Sequence, residues 1–247
     1  MLRKKNAIVT GAGSGIGFTI LNTFAENGAN VWAFIHKLTP ELEEKFEQIS
    51  QNNNVWIKPV EFDLMDEESV KQSTRQVITE GDKIDILVNC AGIVNAKNLG
   101  MTSLDEIRQS MNANFIMPSL FMQLISRKMM RQKDGNIINI LSRAAEEYRS
   151  GAYAYGSSKM ALLWGTKAAA KELAQYGIRV NGVAPGLTET KLGTGRQSEE
   201  GIERYVSFNN IKRPAKPNEI ANTVLYLASD LSSYVSGQII NCDGGRY

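Results

Sequence analysis

NAIVTGAGSGIG, residues 6–17, is an apolar, β-branched run that breaks into alternating glycines. Asn6–Thr10 reads as a strand, and GIGFTILNTFAENG (15–28) has helical apolar spacing that ends at Gly28. A strand that enters a helix through such a turn puts the first helical amides at its carboxyl end, where they can face an anion. Gly11, Gly15 and Gly17 fit roles that sterics impose. One permits the turn, one lets backbone approach a pyrophosphate, and one lets helix pack on strand. Ser14 and Ile16 complete the candidate phosphate cradle. The spacing TGxxxGxG differs from the common GxGxxG fingerprint, and a tight turn without a ligand uses the same residue type.

Outward from this turn the alternation of strand and helix continues. ANVWAFI (29–35) reads as a second strand, PELEEKFEQIS (40–50) as a helix with Pro40 in its first turn, and VWIKPVEF (55–62) as a third strand. DEESVKQSTRQVITEG (66–81) is a helix opened by acids that suit its dipole. Then come strand DILVN (85–89), a long helix within 103–132, strand NIINIL (136–141), a long helix within 152–176 and strand IRVNGVA (178–184). A polar stretch, 187–213, precedes helix PNEIANTVLYLAS (217–229) and strand GQIINC (237–242). Strands apolar on both faces and separated by helices predict a parallel sheet covered on both sides. Right-handed crossovers then give an α/β, doubly wound Rossmann fold of about seven strands. One domain spanning 1–247 is expected, with no linker or repeat. In such a sheet, ligands bind beyond the carboxyl ends of the strands.

Composition bounds the function. With 247 residues, 43% hydrophobic and 22% charged, the chain has the makeup of a soluble globular protein able to bury a full core. Its net charge of +2 is spread along the chain. The densest basic stretch, SRKMMRQK (126–133), is interrupted by Met129 and Met130 and reads as the solvated face of a helix, so no nucleic-acid partner is expected. Cys90 and Cys242 both follow apolar runs and read as two buried free thiols of a reducing cytosol. MLRKK leads into NAIVTGAG rather than an apolar signal core, and no run reaches the roughly 18 apolar residues of a membrane span. A cytoplasmic protein without membrane or metal sites is the expectation.

YAYGSSK (153–159) sets Tyr155 one helical turn before Lys159. With eight tyrosines in the chain, about half a YxxxK match arises by chance, so the pair alone reads as a surface contact. Its surroundings change that reading. TGxxxGxG near the N-terminus, NCAG (89–92), Ser142 thirteen residues before Tyr155, YGSSK (155–159) and Pro185–Gly186 together resemble the short-chain dehydrogenase/reductase family. The likeness runs to SGQIINCDGG near the C-terminus and is closest to the branch that includes the 3-oxoacyl-[acyl-carrier-protein] reductases. Cys90 stands where the family usually has a second Asn.

The resemblance implies an NAD(P)-dependent oxidoreductase that interconverts a carbonyl and a secondary alcohol by hydride transfer. Tyr155 is the implied general acid and base. Its free phenol, with a pKa about 10, is too weak an acid at neutral pH, and a neighbouring ammonium is expected to lower it. Lys159 would supply that charge and hold the nicotinamide ribose, Ser142 would orient the substrate oxygen, and Asn114 would hold a water of a proton relay. Asn112 is a rival for the last role, but the Pro four residues after Asn114 fits the family pattern better. Asp63 and Leu64 are expected near the adenine, and Asn89, Ala91 and Gly92 beside its ribose. Leu187 and Thr188, after Pro185 and Gly186, are expected at the nicotinamide carboxamide.

Enzymes that prefer NAD place an acid at the end of the second strand. Here Ile35 takes that position, followed by His36 and Lys37, which favours NADP(H) and leaves NAD(H) the alternative. The 187–213 stretch is expected to be a substrate lid. The charges in RAAEEYRSGAY (143–153) are either solvated or face the cleft, the second case pointing to a polar substrate such as a sugar or hydroxy acid. Arg127, Lys128, Arg131 and Lys133 could attract an acidic acyl-carrier protein, whereas Tyr176 occupies a position often basic in those reductases. A non-catalytic NADP-binding protein is the competing class, and retention of Asn114, Ser142, Tyr155 and Lys159 argues against it. The family resemblance also implies a homotetramer.

Overall fold

Alternate residues of β1 (Asn6–Thr10) face two different cores. Ile8 joins a cluster with Phe34, Phe121, Leu162 and Val180, whereas Ala7 and Val9 join Ile20, Phe24, Val31 and Val224 on the other face. This division follows from the two-residue period of a strand and calls for consecutive apolar residues, here Ala7, Ile8 and Val9. The computed structural model describes residues 1–246. One all-parallel sheet runs through it in the order β3-β2-β1-β4-β5-β6-β7. The remaining strands are β2 (Asn30–Ile35), β3 (Ile57–Glu61), β4 (Ile86–Asn89), β5 (Gly135–Ile140), β6 (Ile178–Pro185) and β7 (Ile239–Cys242).

The helices are α1 (Gly15–Glu26), α2 (Pro40–Asn53), α3 (Glu67–Glu80), α4 (Leu104–Met111), α5 (Met117–Gln132), α6 (Tyr153–Leu173), α7 (Glu199–Val206) and α8 (Pro217–Ala228). Local sequence sets their ends. Thr39 accepts from Leu42 N with Pro40 at the first position of α2, Asp66 accepts from Glu68 N at α3, and Ser103 and Glu106 form a reciprocal capping box at α4. The aromatic rings of Phe34, Phe62 and Phe121 meet edge to face at 5.4–5.7 Å between centroids and fix α5 on the sheet.

Two expectations are altered. The long helix expected within 103–132 is broken by a π-helical turn over Asn112–Ile116, which separates α4 from α5. The polar stretch 187–213 contains α7, capped by Ser198, whose Tyr205 and Val206 pack with Leu187 in a small cluster of their own. Cys90 and Cys242 are unpaired, as expected, but half-buried rather than buried. No helix among the described residues is long and apolar enough to cross a membrane.

Candidate active site

Strand order reverses between β1 and β4, and the loops that leave these two strands diverge around a crevice. Thr10 fixes its floor, because its hydroxyl accepts from both Cys90 N at 2.9 Å and Ala91 N at 3.0 Å. Gly11 (φ +71°) and Gly15 (φ +56°) occupy left-handed backbone, and a Cβ on Gly17 would overlap the Gly11 carbonyl oxygen. Ser14 precedes α1 in extended conformation without capping it, and no acid lies in the first turn, so the leading amides of α1 keep their capacity for an anion. The cradle therefore fits a dinucleotide pyrophosphate.

A cleft of about 1110 Å³ extends from this cradle across the sheet, at the upper end of small-ligand pockets, about 300–1,000 Å³. Gly11, Ser14, Gly15, Ile16 and Gly17 line it at the carboxyl end of β1, and Asn114, Ser142, Tyr155 and Lys159 line it toward β5. His36, Asp63 and Leu64, after β2 and β3, line it on the side of the cradle away from Ser142, and Ala91, Gly92, Pro185, Gly186, Leu187 and Thr188 line it after β4 and β6. Two expected cofactor residues do not line it. Lys37 is exposed, and Asn89 is buried with its side-chain amide turned into the sheet, donating to Asn139 Oδ1 at 2.8 Å. Asn89 thus shapes the cleft from below, since its strand position points the side chain inward. Ile35 is buried at the end of β2, and the nearby Glu61 carboxylate accepts the Leu38 N–H.

The π-helical turn aims Asn114. Its amide donates to Ile93 O at 2.9 Å and Ser158 Oγ at 3.0 Å, while its Oδ1 accepts from Ile93 N at 3.0 Å. One Oδ1 lone pair remains. Asn112, the rival, reaches only toward Met65 O at 3.5 Å, and the cleft includes Asn114. Ser158 in turn donates to Tyr155 O at 2.7 Å. Gly156 allows α6 to approach the loop after β5, because a Cβ there would sit 2.6 Å from Ala144 O. Ser158, Gly156 and Thr10 were not singled out in the sequence, although two of them lie inside the quoted YGSSK.

Electrostatics differ from the simple expectation. Burial pushes the Tyr155 phenol above its ordinary value, opposed by a hydrogen bond to Ser142 and the charge of Arg149. Lys159 is 5% exposed, and burial lowers its ammonium to about 8. Cys90, in the same cleft, is pushed up to about 12 by burial and remains a thiol. The protein alone therefore does not acidify the phenol.

The charged loop after Ser142 is largely self-paired. Arg143 Nε meets Asp243 Oδ2 at 2.8 Å and its Nη1 meets Glu146 at 3.2 Å, whereas Arg246 pairs with Glu147 and covers the Tyr205 ring at 4.0 Å. Arg149 and Tyr205 line the cleft.

A protein-family model described as Enoyl-(Acyl carrier protein) reductase matches residues 11–246. The chain belongs to the short-chain dehydrogenase/reductase family. One family relative is the 3-oxoacyl-[acyl-carrier-protein] reductase FabG of Aquifex aeolicus, 36% identical over 247 residues, covering 100% of this chain and 98% of that protein. Another is the 2,3-dihydro-2,3-dihydroxybenzoate dehydrogenase of Escherichia coli, 33% identical, covering 98% of this chain and 96% of that protein. Among solved structures of the short-chain dehydrogenase/reductase fold, a 7 alpha-hydroxysteroid dehydrogenase complexed with NADH and 7-oxo glycochenodeoxycholic acid has a TM-score of 0.91 at 32% identity, covering 99% of this chain and 95% of its own. A structure provisionally assigned as an NAD(P) dependent gluconate 5-dehydrogenase from Beutenbergia cavernae, with bound NADP, has a TM-score of 0.93 at 30% identity, covering 98% and 96%.

Proposed function

We propose that this chain is an NADP(H)-dependent oxidoreductase that interconverts a carbonyl and a secondary alcohol, with Tyr155 as general acid and base. The observation that carries this reading is the convergence of Asn114, Ser142, Tyr155 and Lys159 in one cleft that also contains the phosphate cradle. Bound in the cradle, a reduced nicotinamide dinucleotide supplies the hydride. Gly11 and the first turn of α1 hold its phosphates, Asp63 and Leu64 its adenine end, and Leu187 and Thr188 its carboxamide. Ala91 and Gly92 flank the adenosine ribose.

The protein's own residues manage the proton. Ser142 donates to the substrate oxygen and holds it at the Tyr155 phenol, which gives up its proton during reduction and recovers it during oxidation. Lys159, fixed by Ile140 O at 2.8 Å, holds the nicotinamide ribose and brings positive charge below the phenol. The remaining Oδ1 lone pair of Asn114 receives the water through which Lys159 exchanges protons with solvent. The 187–213 segment, with α7 and its small apolar cluster, acts as the lid that excludes bulk water from these steps.

NADP(H) is favoured because His36 lines the cleft, Ile35 brings no carboxylate, and Glu61 is engaged with Leu38. Two substrate classes are named among the relatives. Carrier-bound 3-oxoacyl groups are one; the dihydroxybenzoate, oxo-bile-acid and gluconate names are all of carboxylic acids. The basic residues Arg127, Arg131 and Lys133 sit at the end of α5, which leads into the start of β5, about 20 Å from its carboxyl end in the same chain. Lys128 is spent on the carbonyls of Ile78 and Gly81. A homotetramer is supported by the exposed Ile116 on the π-helical turn and Met160 and Trp164 on α6.

An NADPH-oxidation screen with acetoacetyl thioesters, keto sugars and small ketones tests the reading. Turnover of any of them supports it, and tight NADPH binding without turnover of any carbonyl contradicts it.

A further inference from the structure

Five of the six charged side chains between the end of β5 and α6, and at the C-terminal end of the chain, engage one another in ion pairs around the cleft. Arg143 is taken by Asp243 and Glu146, and Arg246 by Glu147. Arg149 is left over, with no carboxylate within ion-pair distance among the described residues. It is not simply a solvated side chain. Its guanidinium lies over the Tyr205 ring at 5.3 Å, both residues line the cleft, and its charge acts on the Tyr155 phenol.

The same cleft is lined by a second guanidinium. Arg196, on the segment after β6, donates from Nη1 to Val94 O at 2.8 Å, which fixes one arm and leaves the rest of its fork unused by any acid among the described residues. Ile93, Val94 and Leu187 line the same cleft. Among the described residues two acids line the cleft, Asp63 and Glu189. Asp63 lies beyond β3 with its carboxylate accepting Met65 N, and Glu189 faces the positive charge of Arg213. The substrate end is therefore cationic, with an apolar wall.

Resting on the carbonyl reductase reading above, we infer that the substrate carries a carboxylate set back from its reacting carbon, held in the cleft by Arg149, with Arg196 as a second cation of the same cleft. Arg149 is exposed, with the Tyr205 ring 5.3 Å from its guanidinium carbon, and a guanidinium presents two parallel N–H groups along one edge. That edge matches the two oxygens of a carboxylate. Arg149 is a specificity residue in this account, and the proton chemistry stays with Tyr155.

The test pairs linear keto acids of increasing length with their methyl esters in NADPH-oxidation assays on the full chain. The wild-type protein is expected to prefer the acid of at least one length by kcat/KM. In Arg149→Gln that acid-over-ester preference falls about tenfold or more, through KM for the acid rather than kcat, as loss of one charge-assisted contact requires. Arg149→Lys recovers part of it, and Arg196→Gln lowers it in the same sense. Equal use of acids and esters by the wild type overturns the inference, as does an equal fall on both in Arg149→Gln. Turnover of acetoacetyl thioesters alone, with neither acids nor esters reduced, overturns it while leaving carbonyl reduction intact. Failure of every carbonyl tested removes both.

Discussion

Lys159 Nζ donates to the carbonyl oxygen of Ile140 at 2.8 Å, so the last residue of β5 holds the ammonium that α6 brings into the cleft. This neutral acceptor is its one hydrogen-bond partner among the described residues, and burial draws the ammonium down to about 8. A folded protein that buries a cation in this way sacrifices stability for a charge that its chemistry uses.

Replacing Lys159 with Met should therefore abolish turnover and raise the melting temperature at pH 7. Moving the group from 10.5 to about 8 corresponds to a cost on the order of 3 kcal/mol, less about 1 kcal/mol for the hydrogen bond to Ile140. Below about pH 8 the lysine is charged in both folded and unfolded chains, so the cost is fully present. As pH rises from about 8 toward 10.5 the unfolded chain holds the extra proton, and the cost fades. The gain in Tm of Lys159→Met over wild type should shrink across that window, and calorimetry from pH 7 to 10 measures it. A gain that grows with pH contradicts the assignment.

The proposed preference for NADP(H) rests on His36, which lines the cleft. His36→Asp puts a carboxylate where a 2′-phosphate would lie. The ratio of kcat/KM for NADPH over NADH should fall about tenfold or more, since repulsion sets selectivity against the phosphorylated cofactor. The same carbonyl substrate with each cofactor gives the ratio, and an unchanged ratio moves the 2′-phosphate site elsewhere.

Gly92 is the contact through which the adenosine wall and Asn114 touch. A Cβ there would lie 2.6 Å from Asn114 Oδ1 and 3.7 Å from Lys159 Nζ. Gly92→Ala should disturb the Asn114 clamp on Ile93, destabilise the fold by about 1–3 kcal/mol and lower kcat. Tm and steady-state kinetics of the variant check both effects together.

The sheet was legible because every buried strand is apolar on both faces, and all seven strands expected from the sequence are present to within one or two residues at most ends. The cradle was legible for a steric reason: glycine is the residue that tolerates the backbone of positions 11 and 15. Other features carry no periodic signal. The π-helical turn that selects Asn114 over Asn112 changes helical period for five residues within a continuous apolar face. Asn89 matches its motif, yet its strand position turns it away from the cleft. Helix α7 had legible signals, Ser198 before Glu199 and Glu200, hidden by the low apolar content around them. The pairing of Arg143 with Asp243 and of Arg246 with Glu147 spans about a hundred residues, a separation at which sequence proximity offers no guide.

Tyr155→Phe removes one oxygen from a half-buried side chain and leaves the phosphate cradle and Lys159 in place. NADPH affinity, read by fluorescence titration, should stay within a few-fold of wild type, while kcat for carbonyl reduction falls by about 10²–10⁴, the contribution of a positioned general acid. Turnover close to wild type in this variant would contradict the central claim that the phenol transfers the proton.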